Sequence, residues 1–99
     1  MSLSTLTDRL RTVVGADSDT KAKVKFDTDE GIVFIDTTQT PNVVSNEDHD
    51  AECTLEISTQ NALKMIDGEL NPMMAYMTGK LKIKGDMGIA MKLAQTFGG

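Results

Sequence analysis

Glu52-Cys53-Thr54-Leu55-Glu56-Ile57 alternates polar and apolar residues without a break. That period of two marks a strand with one face in water and one in a core. Two other stretches share the pattern with the opposite charge: Lys21-Ala22-Lys23-Val24-Lys25-Phe26 and Lys80-Leu81-Lys82-Ile83-Lys84. Like charges directly opposite each other weaken a sheet, whereas opposite charges help by a few tenths up to about 1 kcal/mol. The strand bearing Glu52 and Glu56 is therefore expected between the two lysine strands. Cys53, Leu55, Ile57, Ala22, Val24, Phe26, Leu81 and Ile83 then share one apolar face for helices to cover, and the other face is wet and charged.

Outward from these strands the chain reads as one compact unit over 1–99, with no linker, repeat or low-complexity tract. Leu3, Leu6, Leu10, Val13 and Val14 recur at helical spacing, with Ser4 or Thr5 to cap the start and Gly15 to end it. Asp17 to Asp19 is a polar loop. Asp27 to Gly31 supplies a turn, and Ile32-Val33-Phe34-Ile35 is a short strand expected to be buried on both faces. Thr37 to Ser45 holds a further strand edged or interrupted by Pro41, and Asn46-Glu47-Asp48-His49-Asp50 is a charged loop. Ser58 caps a helix carrying Ala62, Leu63, Met65 and Ile66 and stopped at Gly68. Asn71-Pro72 opens the next with a cap and a proline in its first turn. Met73, Met74 and Met77 come after it, and Gly79 ends it. Gly85-Asp86 caps a last helix with Met87, Ala90, Met91, Ala94 and Phe97.

Composition excludes several functions. The net charge of −5 argues against nucleic acid, because phosphate recognition needs clustered Lys and Arg. No apolar run approaches the ~20 residues of a membrane span. The first residues lack the basic start and apolar block of a signal peptide. A lone cysteine, Cys53, excludes an internal disulfide framework. A reducing, cytoplasmic setting is the expectation.

Six of the seven methionines fall between residues 65 and 91, while the chain has no Trp, one Tyr and three Phe. Methionine fills irregular gaps in ordinary cores, but its flexible thioether also suits an adaptable apolar cavity. Adjacent Met73 and Met74 cannot share one helix face, so one is expected to point at the sheet and the other at a neighbouring helix or an opening.

The C-terminal half resembles the sterol carrier protein 2 family. The resemblance runs through Ala51–Ser58 and Met65-Ile66-Asp67-Gly68-Glu69-Leu70-Asn71-Pro72, and is strongest in Ala75-Tyr76-Met77-Thr78-Gly79-Lys80-Leu81-Lys82-Ile83-Lys84-Gly85-Asp86-Met87 with Ala90-Met91-Lys92-Leu93. The N-terminal half matches only in its pattern of a helix and then strands. Glu52 stands where the family often has Asp, and Tyr76 where Phe is common. The chain is short for the family, and Phe97-Gly98-Gly99 is not a peroxisomal signal. The resemblance implies an α+β fold: a five-stranded, mainly antiparallel sheet with helices covering one face. It also implies a tunnel between sheet and helices for fatty acid, fatty acyl-CoA, phospholipid or sterol-like ligands.

The sharper chemical readings are weaker. Cys53 and His49 suggest a nucleophile pair, yet Cys53 shares the apolar face of Leu55 and Ile57, where cysteine is an inert small hydrophobe. The 46–50 loop lacks calcium-loop spacing, and no second histidine completes a zinc set. Lys80, Lys82, Lys84 and Lys92 could guide an anionic lipid surface or a CoA phosphate, or simply pair with Glu52 and Glu56 on a solvated face. Gly98-Gly99 is similar to the tails of ubiquitin-like and sulfur-carrier proteins, but it comes after a helical pattern rather than a strand. The expectation is a non-enzymatic lipid carrier or presenter with no cofactor and no metal. It would bury its ligand among Leu63, Ile66, Met73, Met74, Met77, Met87, Ala90 and Met91, with the last helix as lid. As partners it would have a lipid ligand and a transient membrane or lipid-enzyme contact, and it would be a monomer or weak dimer. The alternative is a ligand-free interaction module for a lipid-metabolising enzyme.

Overall fold

The computed structural model describes residues 2–14, 21–39 and 42–97, and side chains only between Leu3 and Lys92. Gly15, Asp17–Asp19, Pro41, Gly98-Gly99 and the side chains of Leu93, Ala94 and Phe97 lie outside the described residues. The order is α1 (Ser2–Val14), β1 (Lys23–Thr28), β2 (Gly31–Asp36), β3 (Val43–Ser45), β4 (Cys53–Ile57), α2 (Thr59–Ile66), α3 (Pro72–Met77), β5 (Leu81–Gly85) and α4 (Met87–Phe97). The five strands form one sheet in the order β3-β2-β1-β4-β5. Three pairings are antiparallel and one, β1 with β4, is parallel.

The glutamate strand lies between the two lysine strands, as the charge pattern requires. The ion pairs themselves are fewer than the pattern suggests. Lys84 Nζ meets Glu56 at 3.0 Å, and that bond raises the Lys84 pKa above its ordinary value. On the other side, Lys25 stands opposite Thr54 and turns to Asp48 at 2.6 Å. Glu52 accepts instead from the backbone N–H of Lys23 at 2.9 Å. The strand order agrees with the charge pattern, but the local register leaves Lys84–Glu56 as the cross-strand ion pair among these residues.

Inward-facing residues of the sheet alternate as expected. Val24, Phe26, Val33, Ile35, Cys53, Leu55, Ile57 and Leu81 join Leu6, Leu10 and Val14 of α1, and Ala62 and Met65 of α2, in one core. The outer face is less wet than the alternation implies. Phe34 and Asp36 point outward yet are only 5% and 3% exposed. The chain leaving β3 must cross β2 and β1 to reach β4, and it does so over this outer face. The His49 ring stands edge-on to Phe34 with centroids 5.0 Å apart, and Asp48 reaches Lys25 on β1. Asn46 ties the start of the crossing down, donating to Thr7 Oγ1 at 3.0 Å and to the Ile32 carbonyl at 2.9 Å.

Helix α1 begins at Ser2, a turn earlier than a cap at Ser4 or Thr5 would put it. The reason is tertiary: Leu3 packs against the core, with its Cδ2 lying over Gly31 at the β1–β2 turn. The later boundaries are local and fall where the side chains dictate. Ser58 Oγ accepts from Asn61 N at 3.1 Å, Asn71 Oδ1 accepts from Met73 N at 2.8 Å, and Asp86 Oδ1 accepts from Ile89 N at 3.1 Å.

Two contacts, one inside the sheet and one between the sheet and α2, yield tests. Gly85 faces Cys53 at the end of the β4–β5 ladder with φ 94°. A Cβ there would press into the Glu52 carbonyl oxygen and come within 3.0 Å of Cys53 Cα. Gly79, after α3, has φ 80° but open space around it. Gly85→Ala should therefore lower stability by about 3 kcal/mol, from backbone strain plus collision, and Gly79→Ala by about 1 kcal/mol, from the left-handed conformation alone. Equal shifts in urea midpoint would contradict this. At the other contact, Asp29 in the β1–β2 turn accepts from the Thr59 N–H at 2.8 Å and the Thr59 hydroxyl at 2.9 Å. These bonds hold its carboxyl below the ordinary value of 3.8. A lowered folded pKa means the contribution is full above the ordinary value and fades as pH falls through the folded one. Asp29→Asn should thus cost stability at pH 7 and progressively less as pH falls below 3.8, as read from denaturant midpoints across that range.

Candidate functional site

Helices α2, α3 and α4 meet over the β4–β5 side of the sheet, α4 touching both of the others and both strands. The eight expected lining residues divide into two groups there. Ile66 and Ala90 are buried, and Leu63 and Met91 are half-buried. Met73, Met74, Met77 and Met87 are exposed, at 49%, 54%, 71% and 42%. Neither Met73 nor Met74 turns to the sheet as helical spacing would have it; the inward residues of α3 are Pro72 and Ala75. A six-residue helix turns only one i, i+3 pair inward. Here the chain doubles straight back into β5, with Lys80 N donating to the Ala75 carbonyl at 2.9 Å, so the inward position takes a small residue.

Other residues, outside those eight, lie at or beside the site. Met65 belongs to the closed core, fully buried, although it shares the methionine cluster. Ile83 of β5, Leu70 before α3 and Ile89 of α4 are half-buried against the core beside the site. For Ile83 the strand alternation carried the signal; for Leu70 no periodicity did. Tyr76 is 39% exposed among the α3 methionines.

The nucleophile reading fails on geometry. Cys53 faces the helices and is 1% exposed; burial first, then the charges of Asp86 and Glu52, push its thiol up to about 11. A thiol so raised stays protonated near neutral pH and is a poor nucleophile. His49 lies beyond the opposite face of the sheet, against Phe34, with Glu47 at 3.5 Å. Among the described residues, no three His, Cys, Asp or Glu side chains converge as a metal site would need, and no helix is long and apolar enough to cross a membrane.

A separate recess of about 350 Å³ opens on the outer face between Lys23, Phe34, Asp36, Gln39, His49 and Asp50. Burial would raise the Asp36 carboxyl, but hydrogen bonds from Thr38 and Gln39 and the charge of Lys23 outweigh it and hold the group below its ordinary value. Asp36 is thus an ionised, fully engaged structural acid. The mixed-charge lining is unlike the apolar wall a lipid chain requires.

This architecture has relatives. The sterol carrier protein 2 of Oryctolagus cuniculus is 46% identical over 52 residues, which are 52% of this chain and 10% of that protein. The hydroxysteroid dehydrogenase-like protein 2 of Bos taurus is 51% identical over 43 residues, 43% of this chain and again 10% of the relative. The chain thus matches about a tenth of the length of these curated relatives. Among solved structures, the sterol carrier protein domain 2 of Helicoverpa armigera superposes with a TM-score of 0.80 at 22% identity, covering 98% of this chain and 88% of that one. The palmitated SCP2L2 of Aedes aegypti does so with a TM-score of 0.71 at 22% identity, covering 98% and 95%. A family model described as the SCP-2 sterol transfer family matches residues 16–98, and with the α+β fold and its mainly antiparallel five-stranded sheet established, the chain belongs to that family.

Proposed function

We propose that this chain binds a hydrophobic lipid ligand, a fatty acid, fatty acyl-CoA, phospholipid or sterol-like lipid, in an apolar tunnel between the helices and the sheet, and carries or presents it. The observation that carries this reading is the exposure of Met73, Met74, Met77 and Met87 beside the buried Ile66 and Ala90. Large apolar side chains concentrated at one place on a small protein mark a site that something apolar covers. The fold supports the reading, since one Aedes aegypti protein that shares it is palmitated and the sterol carrier protein 2 of the same organism is a complex with palmitate. Leu63, Ile66, Ala90 and Met91 would form the inner wall, and Met73, Met74, Met77 and Met87 the adaptable rim, with α4 as the element that opens. No residue of the site is asked to do chemistry. We further take the chain to be one domain over 1–99, a monomer or weak dimer, acting in the cytoplasm, where an unpaired thiol such as Cys53 persists.

A second reading has its own observation. The similarity to hydroxysteroid dehydrogenase-like protein 2 covers only a tenth of that longer protein. Such a segment could serve a lipid-metabolising enzyme as an accessory interaction domain without holding ligand.

Removal of apolar surface from water would drive binding, at about 25 cal/mol per Å², or about 0.8 kcal/mol for each buried CH₂. Affinity should therefore rise about fourfold per added methylene between C12 and C16 fatty acids, as read by displacement of a fluorescent acyl probe. Met91→Lys should lower palmitate affinity at least tenfold, since it sets a charge at the half-buried wall. Met87→Lys, at an exposed rim position that tolerates the change without unfolding, should lower it less. A folded Met91→Lys protein that binds palmitate as well as the parent overturns the wall assignment. Absence of any uptake by the parent favours the accessory module.

A further inference from the structure

The two edges of the sheet are finished differently. At one edge β3 is three residues long, and Arg11 of α1 donates to its Val44 carbonyl at 3.2 Å. At the other edge β5 is five residues long, Leu81–Gly85. Among the described residues, no side chain or loop bonds the β5 backbone beyond its ladder with β4. Leu81 and Ile83 turn to the inner face, buried and half-buried, while Lys82 and Lys84 stand exposed on the outer face. Lys82 lies directly across the ladder from Glu56. Glu56 Oε2, however, is taken diagonally by Lys84 at 3.0 Å, and Lys82 forms no ion pair among the described residues. Lys80, exposed one residue before the strand, forms none there either. The longer edge is thus an open row of backbone donors and acceptors with uncompensated positive charge on its outer side.

We propose that the free edge of β5 receives an extended acidic segment of a partner protein, which adds to the sheet as a sixth strand. An unpaired edge is a ready template for another strand. In such additions the main-chain hydrogen bonds supply affinity, and side chains at alternate positions supply specificity. The chain itself shows which pattern fits. The strand that pairs with β5 on its other side is β4, where Glu52 and Glu56 alternate with Cys53, Leu55 and Ile57. A partner strand with acids at alternate positions sets one beside Lys82 on the outer face, and its apolar residues continue the row of Leu81 and Ile83 on the inner face. Opposite charges across a ladder favour pairing and like charges oppose it. That rule also rejects a second copy of this chain. Its β5 would set lysine beside lysine, and its glutamate strand is already enclosed between β1 and β5. The proposal stands apart from the lipid-carrier reading, because the edge runs along the sheet rather than between sheet and helices.

The chain's own pattern supplies the probe: a capped synthetic peptide of residues 51–58 carrying Cys53→Ser, titrated into the ¹⁵N-labelled full chain. A control peptide carries Glu52→Lys and Glu56→Lys as well. The expected result is saturable amide shifts in β5, slowed hydrogen exchange there, and tighter binding of the glutamate peptide than of the lysine peptide. High salt should narrow that preference by screening the charges. Lys82→Gln, an exposed change that leaves the Lys84–Glu56 pair in place, should weaken the glutamate peptide about threefold, the worth of one exposed cross-strand charge pair. It should leave palmitate uptake as in the parent. Equal binding of the two peptides overturns the proposal, as does the absence of any β5 shift with either. Shifts in β1 as strong as those in β5 also overturn it, because the peptide has then replaced β4. Shifts confined to α3 and α4 overturn it by placing the peptide on the helical layer. Concentration-dependent β5 shifts in the chain alone overturn it in favour of self-pairing.

Discussion

Cys53, Leu55 and Ile57 leave β4 on the same side, each at most 5% exposed, and their burial needs a strand on either flank and helices above. The pairing of β4 with β1 and β5 meets that need and sets most of the remaining architecture. To enter beside β1, the chain has to return from the β3 edge across the outer face, and that return covers Phe34 and brings Asp48 to Lys25. To leave β4, it passes directly through the Ser58 cap into α2, which Asp29 of the β1–β2 turn holds by its first residue. To complete the far flank, β5 must close tightly, with Gly85 against the Glu52 carbonyl and Asp86 N donating to it at 3.0 Å. Asp86 then starts α4. The three helices over β4 and β5 are therefore placed by the same ladder that places the strands.

Much of this was legible because it was local or periodic. The caps at Ser58 and Asn71 and the stop at Gly68 need only neighbouring residues to act. The neighbours of β4 could be read from charge, and the apolar face from alternation. Three features depended on contacts far apart in the chain. The start of α1 moves to Ser2 because Leu3 reaches Gly31, some thirty residues on. The outer face closes over Phe34 because the connection from β3 passes there, and a loop rich in charge gives no sign that it will cover an aromatic ring. Met73 and Met74 both face outward because α3 is short and lies close to β5, a distance that no periodicity encodes. The methionine concentration was visible at once; its division between a buried Met65, a half-buried Met91 and an exposed set on α3 and α4 was not.

That division bears on how a chain this small could handle lipid. A domain of 99 residues has little core to spare, and here the α1 side of the sheet is closed around Leu6, Leu10, Phe26 and Ile35. The adaptable side chains are gathered at the other end, where α3 and α4 present Met73, Met74, Met77 and Met87 to solvent. On the proposed carrier reading, a closed half that fixes the fold and a half with exposed apolar side chains divide stability from binding within one core.

The methionines permit a direct trial of this account. In a protein labelled with ¹³C at the methionine methyl groups, each of Met65, Met73, Met74, Met77, Met87 and Met91 is a separate reporter, and palmitate can be titrated against all of them at once. The account predicts saturable shifts at Met91, Met87 and the α3 methionines, and little change at Met65 in the closed core. Palmitate that leaves all of these resonances in place, or that moves Met65 alone, would contradict it.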